Sequence, residues 1–337
     1  MKEYNIAVVG ATGAVGTEML KVLEEYDLPI NNLKVIASPR SEGKKIRFKD
    51  NEYEIESIKK GTFEDIDIAL FSIGSGNSKK FVPQAVYEGA LVIDNSNAYR
   101  MDDEVPLVVP EINPEAVKDH SGIIANPNCS TIQMVIALNP LKKKYKINKV
   151  LVSTYQAVSG TGLKAIEELK NQAKAYLDGN EIKSEVYPHQ IAFNAIPLID
   201  KINDNGYTEE ELKLNRETKK IFNDSSIDVT ATAVRIPVVY GHSESIHVEI
   251  DNEVDLEEIE YLLSNDENIK LIDNPEEDEY PTPIMSEDDD KILVGRVRKD
   301  LHNDNALEMW VVGNNIRKGA ALNAVQIADY MIKSNLI

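Results

Sequence analysis

The sequence predicts an α/β protein that has an N-terminal Rossmann-like, doubly wound domain and an α+β second domain with a mixed, largely antiparallel sheet. Three observations predict this division. The chain has 337 residues, which is enough for two domains. Up to about residue 130, short apolar strands alternate with helices, and beyond residue 150 the strands instead alternate apolar with polar residues.

Composition narrows the class of protein. Apolar residues make up 42% of the chain and charged residues 28%, which is typical of a soluble globular protein. The formal charge is 37 − 57 = −20, so we expect no nucleic-acid partner and no membrane surface. One cysteine, Cys129, excludes an internal disulfide and a cysteine-based metal cluster, and we expect no metal. The first residues lack a secretory apolar region, which predicts a cytoplasmic protein.

The longest uncharged stretch, residues 121–141, is long enough to suggest a membrane span. It contains two prolines and four amide side chains, which hydrocarbon does not accommodate, so we interpret it as a buried segment. The acidic runs at 276–279 and 287–290 lack the ligand spacing of a calcium loop and are interpreted as solvated loops.

The first domain is predicted element by element. An apolar strand, residues 4–9, ends at Gly10 and is followed by a helix that has Val15, Met19, Val22 and Leu23 on one face. Further strands are expected at 33–37, 68–72 and 91–94, with a helix at about 78–88 between the last two. This β-α-β succession is typical of a doubly wound sheet.

The second domain shows a different pattern. Its predicted strands at 229–236 and 245–251 alternate apolar and polar residues, as in an antiparallel sheet with one solvated face. Helices are expected near 163–177, 208–222 and 255–264, and a last strand, 307–312, precedes a final helix at 318–332.

A glycine loop directly follows the first strand. Its candidate cofactor-binding residues are Gly10, Thr12, Gly13, Ala14 and Val15. Alone, such a loop is weak evidence, because a tight strand–helix turn also uses glycines. Its position before a helix instead indicates a dinucleotide site, where free amides and the helix dipole face a diphosphate.

The end of the second strand indicates which dinucleotide is bound. An NAD site usually has Asp or Glu at this point, and no residue from 31 to 41 is acidic. Arg40 and Ser41 offer a guanidinium and a hydroxyl, which suit a ribose 2′-phosphate. The predicted cofactor is therefore NADP.

The single cysteine is the second candidate site. A lone cytosolic cysteine is often only a small buried hydrophobe. Cys129 instead follows a turn-rich string and opens an apolar helix, where the dipole and free amides lower a thiol pKa. Beside a nicotinamide site, such a thiolate suggests aldehyde oxidation through a thioester.

Further motifs run along nearly the whole chain, at residues 10–16, 37–41, 94–100, 108–111, 126–133, 153–160, 192–197, 235–237, 241–245, 295–300 and 319–323. With them the chain resembles the bacterial type of aspartate-β-semialdehyde dehydrogenase. The resemblance implies reversible, NADP-dependent conversion of L-4-aspartyl phosphate to L-aspartate 4-semialdehyde. In the family this reaction lies on the routes to lysine (through diaminopimelate), to threonine and to methionine.

The resemblance also implies the domain organisation. Residues 1–128, completed by a C-terminal helix at 317–337, would form the NADP-binding domain, and residues 129–316 the catalytic and dimerisation domain. The segment 178–189 looks shorter than in many relatives. Because that region contributes to subunit contacts in the family, either a homodimer or a homotetramer is expected.

Site residues follow from the resemblance. Cys129 would be the nucleophile, His242 the acid/base, and Gln156 would orient the acyl intermediate. Arg235 would bind the substrate carboxylate and Glu210 its ammonium group. The remaining roles are phosphate binding by Arg100 and Lys213, and cofactor contacts by Ser159, Gly160 and Asn315.

Two alternatives remain open at this point. A related acyl-phosphate reductase, such as N-acetylglutamyl-phosphate reductase, shares the nucleotide fold and the cysteine–histidine chemistry, but an acylated amino group has no use for the Glu210 carboxylate. A catalytically inactive NADP-binding sensor would bind the cofactor without turnover.

Overall fold

The computed structural model describes residues 2–287 and 289–337, and it divides into two compact units. The first unit contains the residues up to Asn128 together with Ala320–Ile337, and the second is Cys129–Gly319. Asp288, in the second acidic run, lies outside the described residues; the first run, 276–279, is exposed as predicted.

The first unit is built on a five-stranded parallel sheet. Its strands are β1 (Tyr4–Val9), β2 (Ile30–Ile36), β5 (Ile68–Phe71), β6 (Leu91–Asp94) and β7 (Ile123–Ala125), and a separate hairpin joins β3 (Lys45–Phe48) to β4 (Asn51–Glu54). The strand order is β2-β1-β5-β6-β7. The chain therefore changes direction across the sheet between β1 and β5, and ligands bind at such a switch point.

Three helices cover this sheet. They are α1 (Ala14–Glu25), α2 (Ser75–Tyr87) and α7 (Leu322–Lys333). The apolar residues of α7 recur at helical spacing, and Leu322, Val325 and Met331 are buried in one cluster with Ile6 and Val8 of β1. Each such side chain contributes roughly 1.5–3 kcal/mol when it leaves water, which explains why the C-terminal helix belongs to the first unit.

The second unit is built on a six-stranded mixed sheet. Its strands are β8 (Ile147–Gln156), β9 (Asp228–Arg235), β10 (His242–Ile250), β11 (Ile269–Leu271), β12 (Ile292–Lys299) and β13 (Ala306–Gly313). The order is β11-β12-β13-β10-β8-β9, in which β8–β9 and β11–β12 are parallel and the other three neighbours antiparallel. Both sheets confirm the predicted fold class.

Four helices accompany this sheet: α3 (Cys129–Lys144), α4 (Leu163–Leu177), α5 (Glu209–Ile221) and α6 (Leu256–Ser264). Every residue of α3 from Ser130 to Leu141 is buried, which explains why this stretch is uncharged. Strand β10 alternates as predicted, with Ile246 and Val248 buried and His247 partly exposed. Within the described residues, no helix combines the length and apolar character that crossing a bilayer requires.

Some element boundaries differ from the predictions. Strand β10 begins at His242, three residues before the predicted start, because its first residues pair with both β8 and β13 although they are polar. The predicted helix at 318–332 begins instead with a wider π-type turn, Arg317–Ala321, in which the Gly319 N–H donates to the Asn314 carbonyl. The hairpin β3–β4 was not predicted, since half of its strand residues are charged and its apolar face consists only of Ile46, Phe48 and Tyr53.

Candidate active site

Cys129 is the partly exposed first residue of α3, and the residues that follow it, Ser130–Leu141, are all buried. The π-type turn brings the Gly319 backbone against it, so that a Cβ at Gly319 would lie 2.9 Å from Cys129 Cβ. Real Cβ atoms essentially never approach so closely. Residue 319 must therefore be glycine if Cys129 is to keep its observed position.

His242 is fully buried at the start of β10. Its Nδ1 accepts a hydrogen bond from the Ala157 N–H at 3.0 Å. A neutral imidazole has one proton, and the Ala157 contact therefore places that proton on Nε2. Burial lowers the pKa of His242 to about 3, with a smaller lowering by Arg235 and an opposing effect of Glu210. At neutral pH the ring is uncharged and offers an N–H at Nε2.

Gln156 ends β8 beside this ring, with its Nε2 3.5 Å from His242 Nε2. The Gln156 Nε2 donates to Glu210 Oε1 at 3.0 Å, and the Oε1 accepts from the Thr154 hydroxyl at 3.0 Å. Both ends of the amide are thus held, and its orientation is set by its partners. It presents a polar group to the site without adding charge.

Glu210 and Lys213 lie on the first turns of α5, three residues apart and on one face. Lys213 Nζ is 2.9 Å from Glu210 Oε2 and 2.9 Å from Asp200 Oδ2. Burial alone would lower the pKa of Lys213, but the two carboxylates raise it above its usual value. The Lys213 ammonium is therefore charged, and the pair is more buried than an ordinary surface ion pair.

Arg235 ends β9 directly opposite Gln156 in the parallel register. Its Nη1 donates to the Ala157 carbonyl at 2.7 Å, whereas its Nε, buried in a residue that is only 6% exposed, has no hydrogen-bond partner among the described residues. Leaving a buried charged donor unpaired costs free energy. The arrangement therefore fits an anionic ligand, and the planar fork of arginine matches a carboxylate.

Asn315 links Ser159, which is also a predicted cofactor contact, to the residue before β10. Its Oδ1 accepts from the Gly241 N–H at 3.0 Å, and its Nδ2 donates to the Ser159 hydroxyl at 3.0 Å. Since Gly241 precedes His242, these bonds hold the histidine strand in place. Gly160 follows Ser159, and a Cβ there would lie 3.2 Å from Arg235 Nη1 and 3.4 Å from His242 Nε2.

We expect Gly160→Ala to raise the KM for a substrate bound between Arg235 and His242 by about tenfold. One added carbon in a fitted pocket costs that much or more. The backbone at Gly160 has no left-handed conformation, so alanine fits it without strain. Steady-state kinetics and thermal unfolding measure the two effects separately. An unchanged KM, or a loss of stability that accounts for the loss of activity, would contradict this placement.

In the first unit, the glycine loop connects β1 to α1. A Cβ at Gly10 would lie 2.2 Å from the Ser72 carbonyl oxygen after β5, and one at Gly16 would lie 2.1 Å from the Gly10 carbonyl oxygen. Helix α1 begins at Ala14 and Val15, with no side-chain cap and no acidic residue in its first turn. The loop, including the exposed Thr12 and the N-cap Gly13, fits a diphosphate.

Two further predicted residues lie in this unit. Arg40 and Ser41 form a short turn, Pro39–Ser41, soon after β2, and Arg40 is exposed. Arg100 is buried, with its Nε donating to the Asn126 carbonyl at 2.9 Å and its Nη2 to the Asn95 carbonyl at 2.8 Å. These carbonyls follow β6 and β7, so Arg100 lies at the carboxyl ends of the parallel strands.

The sequence did not indicate several residues that shape the site. The most important is Ala157, whose N–H donates to His242 and whose C=O accepts from Arg235. The sequence could not indicate it, because both contacts are made by backbone groups. Gln133 and Glu244 lie in the motifs 126–133 and 241–245, but the resemblance implied no role for either residue. Gln133 Nε2 donates to the His242 carbonyl at 3.4 Å, a contact that depends on how α3 packs on the sheet.

Comparison with known proteins identifies both domains of the chain. Residues 5–120 match the family model of the semialdehyde dehydrogenase NAD binding domain, and residues 138–318 match that of the semialdehyde dehydrogenase dimerisation domain. The aspartate-semialdehyde dehydrogenase of Aquifex aeolicus is 56% identical over 338 residues, which cover 99% of each chain.

The chain belongs to the aspartate-semialdehyde dehydrogenase family. The predicted family and enzyme class, a dehydrogenase with a nicotinamide-nucleotide domain, are thereby confirmed.

Two solved structures of the aspartate-semialdehyde dehydrogenase family extend the comparison. Enzyme II of Vibrio cholerae, complexed with ASA, is 45% identical and covers 99% of both chains with a TM-score of 0.96. The Candida albicans enzyme with NADP is 26% identical, covers 100% of both chains and has a TM-score of 0.78. The fold is thus the one on which this family carries its substrate and cofactor sites.

Proposed function

We propose that the protein catalyses the reversible, NADP-dependent reductive dephosphorylation of L-4-aspartyl phosphate to L-aspartate 4-semialdehyde, in lysine, threonine and methionine biosynthesis. The observation that carries the proposal is the buried guanidinium of Arg235, which lies beside the uncharged His242. Among the described residues, the Nε of Arg235 has no hydrogen-bond partner. A carboxylate receptor next to a proton donor is what an amino acid with a reactive C4 carbonyl requires.

The glycine loop and the uncapped start of α1 would hold the cofactor diphosphate, and Arg40 and Ser41 its 2′-phosphate. Ser159, Gly160 and Asn315 would approach the nicotinamide. When bound, NADPH supplies the hydride that reduces the acyl carbon. The NADP in the Candida albicans relative and the lack of an acidic residue from 31 to 41 support this cofactor.

Cys129 and His242 would perform the covalent chemistry. The Cys129 thiolate attacks C4 of aspartyl phosphate, a C–S bond forms, the C–O bond to the phosphoryl group breaks, and phosphate leaves. Negative charge develops on the C4 oxygen during attack and again after reduction. The proton on His242 Nε2 stabilises that oxygen, which is the acid–base contribution we propose for it. Collapse of the alkoxide breaks the C–S bond and restores the thiolate.

The other residues would bind the rest of the substrate. Arg235 takes the α-carboxylate, Glu210 the ammonium group, and Gln156 orients the acyl group beside His242. Lys213 and Arg100 would bind phosphate. The Glu210 carboxylate has a purpose only if the substrate amino group is free and charged, so N-acetylglutamyl phosphate is not favoured as substrate.

We propose a homodimer or a homotetramer, since the second unit matches a dimerisation domain. Light scattering during size-exclusion chromatography distinguishes the two assemblies. A cytoplasmic location follows from the proposed pathway.

We expect Arg40→Ala to weaken NADP binding by about 10- to 150-fold, because a lost charge-assisted contact costs roughly 1.5–3 kcal/mol. Affinity for NAD should change little, since NAD lacks the 2′-phosphate. Titration of both cofactors against wild type and variant measures this. Arg47→Ala, at another exposed arginine of the same unit, is the control. Equal losses for NADP and NAD would refute the assignment.

The wild-type assay that tests the function contains aspartate semialdehyde, phosphate and NADP, with NADPH formation followed at 340 nm. We expect turnover that requires all three components. An inactive sensor would bind NADP and give no product. Turnover with N-acetylglutamate semialdehyde in preference to aspartate semialdehyde would identify the other reductase.

A further inference from the structure

Glu244 is a fully buried carboxyl group that the proposed chemistry does not use. It lies two residues after His242 on β10, and its side chain is 0% exposed. Among the described residues, no donor meets hydrogen-bond geometry at either carboxylate oxygen of Glu244, and the buried Oε1 of Gln133 has no partner there either. These orphan atoms are all acceptors. Ionised Glu244 would therefore be a buried charge with no donor, which is a costly arrangement.

Gln133 lies on α3 four residues after Cys129, and hence on the same helix face. The Gln133 Nε2 donates to the His242 carbonyl, which fixes the orientation of the amide, because the opposite orientation would place two oxygens together. Gly313, opposite His242 on β13, makes room for this side chain: a Cβ there would lie 2.9 Å from Gln133 Oε1. One amide thus spans the nucleophile helix and the histidine strand.

We propose that Glu244 is a neutral acid whose O–H donates to Gln133 Oε1, so that the two side chains position the Cys129 helix against the His242 strand. One proton on Glu244 converts an acceptor into a donor and satisfies an orphan atom on each residue. Glu244 is in this account a positioning residue that acts through Gln133. Its effect on turnover rests on the proposed function; the pairing itself does not.

The surroundings of Glu244 agree with a neutral acid. In the sheet register, Thr154 of β8 and Val311 of β13 lie directly opposite it, and neither is titratable. His242 is the near titratable neighbour on β10 and is uncharged above about pH 3. Burial raises the pKa of Glu244 well above its usual value of 4.5, and contact with Gln133 opposes this only in part.

The kinetic test compares Glu244→Gln with Glu244→Met. Glutamine still offers a donor to Gln133, so we expect kcat within about threefold of wild type, whereas methionine offers none and kcat should fall by about 10- to 100-fold. The KM for semialdehyde should change less than about threefold in both variants, because Arg235 and Glu210 are untouched. A Glu244→Gln variant as impaired as Glu244→Met, or a fully active Glu244→Met, would overturn the proposal.

A second measurement needs no turnover and no Glu244→Met protein. Folded wild type keeps a proton that the unfolded chain releases above about pH 4.5, so unfolding free energy should fall as pH rises above that value, relative to Glu244→Gln. Urea unfolding of both proteins between pH 5 and about 8 measures this difference. Parallel pH dependences would overturn the neutral acid. A decline in wild type alone would support it even if the protein turned over no semialdehyde.

Discussion

Replacing Cys129 with alanine is expected to lower turnover of aspartate semialdehyde by about 10⁴-fold or more, because the reaction then has no nucleophile to carry the acyl group. The fold should be preserved. Cys129 is the partly exposed first residue of α3, and Gly319 leaves room for its Cβ, which alanine retains. The measurement is steady-state NADPH formation, with circular dichroism and NADP titration as controls for folding and cofactor binding.

Cys129→Ser sharpens this test. The hydroxyl is close to isosteric with the thiol, but it is a far weaker nucleophile at neutral pH, so we expect a loss of similar size. Substantial activity in Cys129→Ala would exclude a thioester route. Loss of NADP binding together with loss of activity would show that the alanine variant had changed more than its nucleophile.

Arg235→Lys is expected to reduce kcat/KM for semialdehyde by about 10- to 150-fold, which corresponds to roughly 1.5–3 kcal/mol for a charged hydrogen bond. An ammonium reproduces the charge but cannot both hold the Ala157 carbonyl and present a second, coplanar donor as Arg235 does. Because Arg235 is proposed to bind the substrate carboxylate in every step, hydride transfer in a single turnover and phosphate-dependent turnover should both slow.

Arg100→Ala is the matched comparison. Arg100 is proposed to bind phosphate, so the variant should raise the KM for phosphate and leave the first hydride transfer, measured in one turnover without phosphate, nearly intact. If Arg100→Ala slows single-turnover hydride transfer as much as phosphate-dependent turnover, the proposed division between Arg235 and Arg100 is wrong.

Local sequence patterns predicted the fold well where burial and periodicity agree. Strand β1 is followed by Gly10, where a Cβ would collide with the Ser72 carbonyl. This backbone requirement is visible in the sequence as a glycine after an apolar run. Arg235 is a buried charged residue at the end of strand β9. Its partner is the Ala157 carbonyl, which has no side-chain signature.

Other features depend on contacts distant in sequence and were not predictable from local patterns. The string His242-Ser243-Glu244 is polar like a loop, yet it opens strand β10 because β13 pairs with all three residues and β8 pairs with Ser243 and Glu244. The apolar face of the β3–β4 hairpin is too short to be predicted from the sequence, because it consists of Ile46, Phe48 and Tyr53 on two four-residue strands. Close packing of Gly319 on Cys129 results from a π-type turn that replaced the predicted helix start.

The uncharged His242 shows how the site combines local and distant contributions. The family resemblance implied that His242 is the acid/base. Burial and the neighbouring Arg235 guanidinium lower its pKa to about 3, and the Ala157 N–H occupies Nδ1. The ring therefore offers a proton at Nε2 throughout the neutral range, and donation of that proton towards the substrate oxygen is the function the geometry favours.

The most direct test of the account is a single turnover without phosphate. Enzyme is mixed rapidly with aspartate semialdehyde and NADP, NADPH absorbance is followed, and the acid-quenched protein is analysed by peptide mass spectrometry. We predict a burst of about one NADPH per chain and an aspartyl adduct on the peptide that contains Cys129, removed when phosphate is added before the quench. A burst without an adduct on Cys129, or an adduct on another residue, would contradict the account.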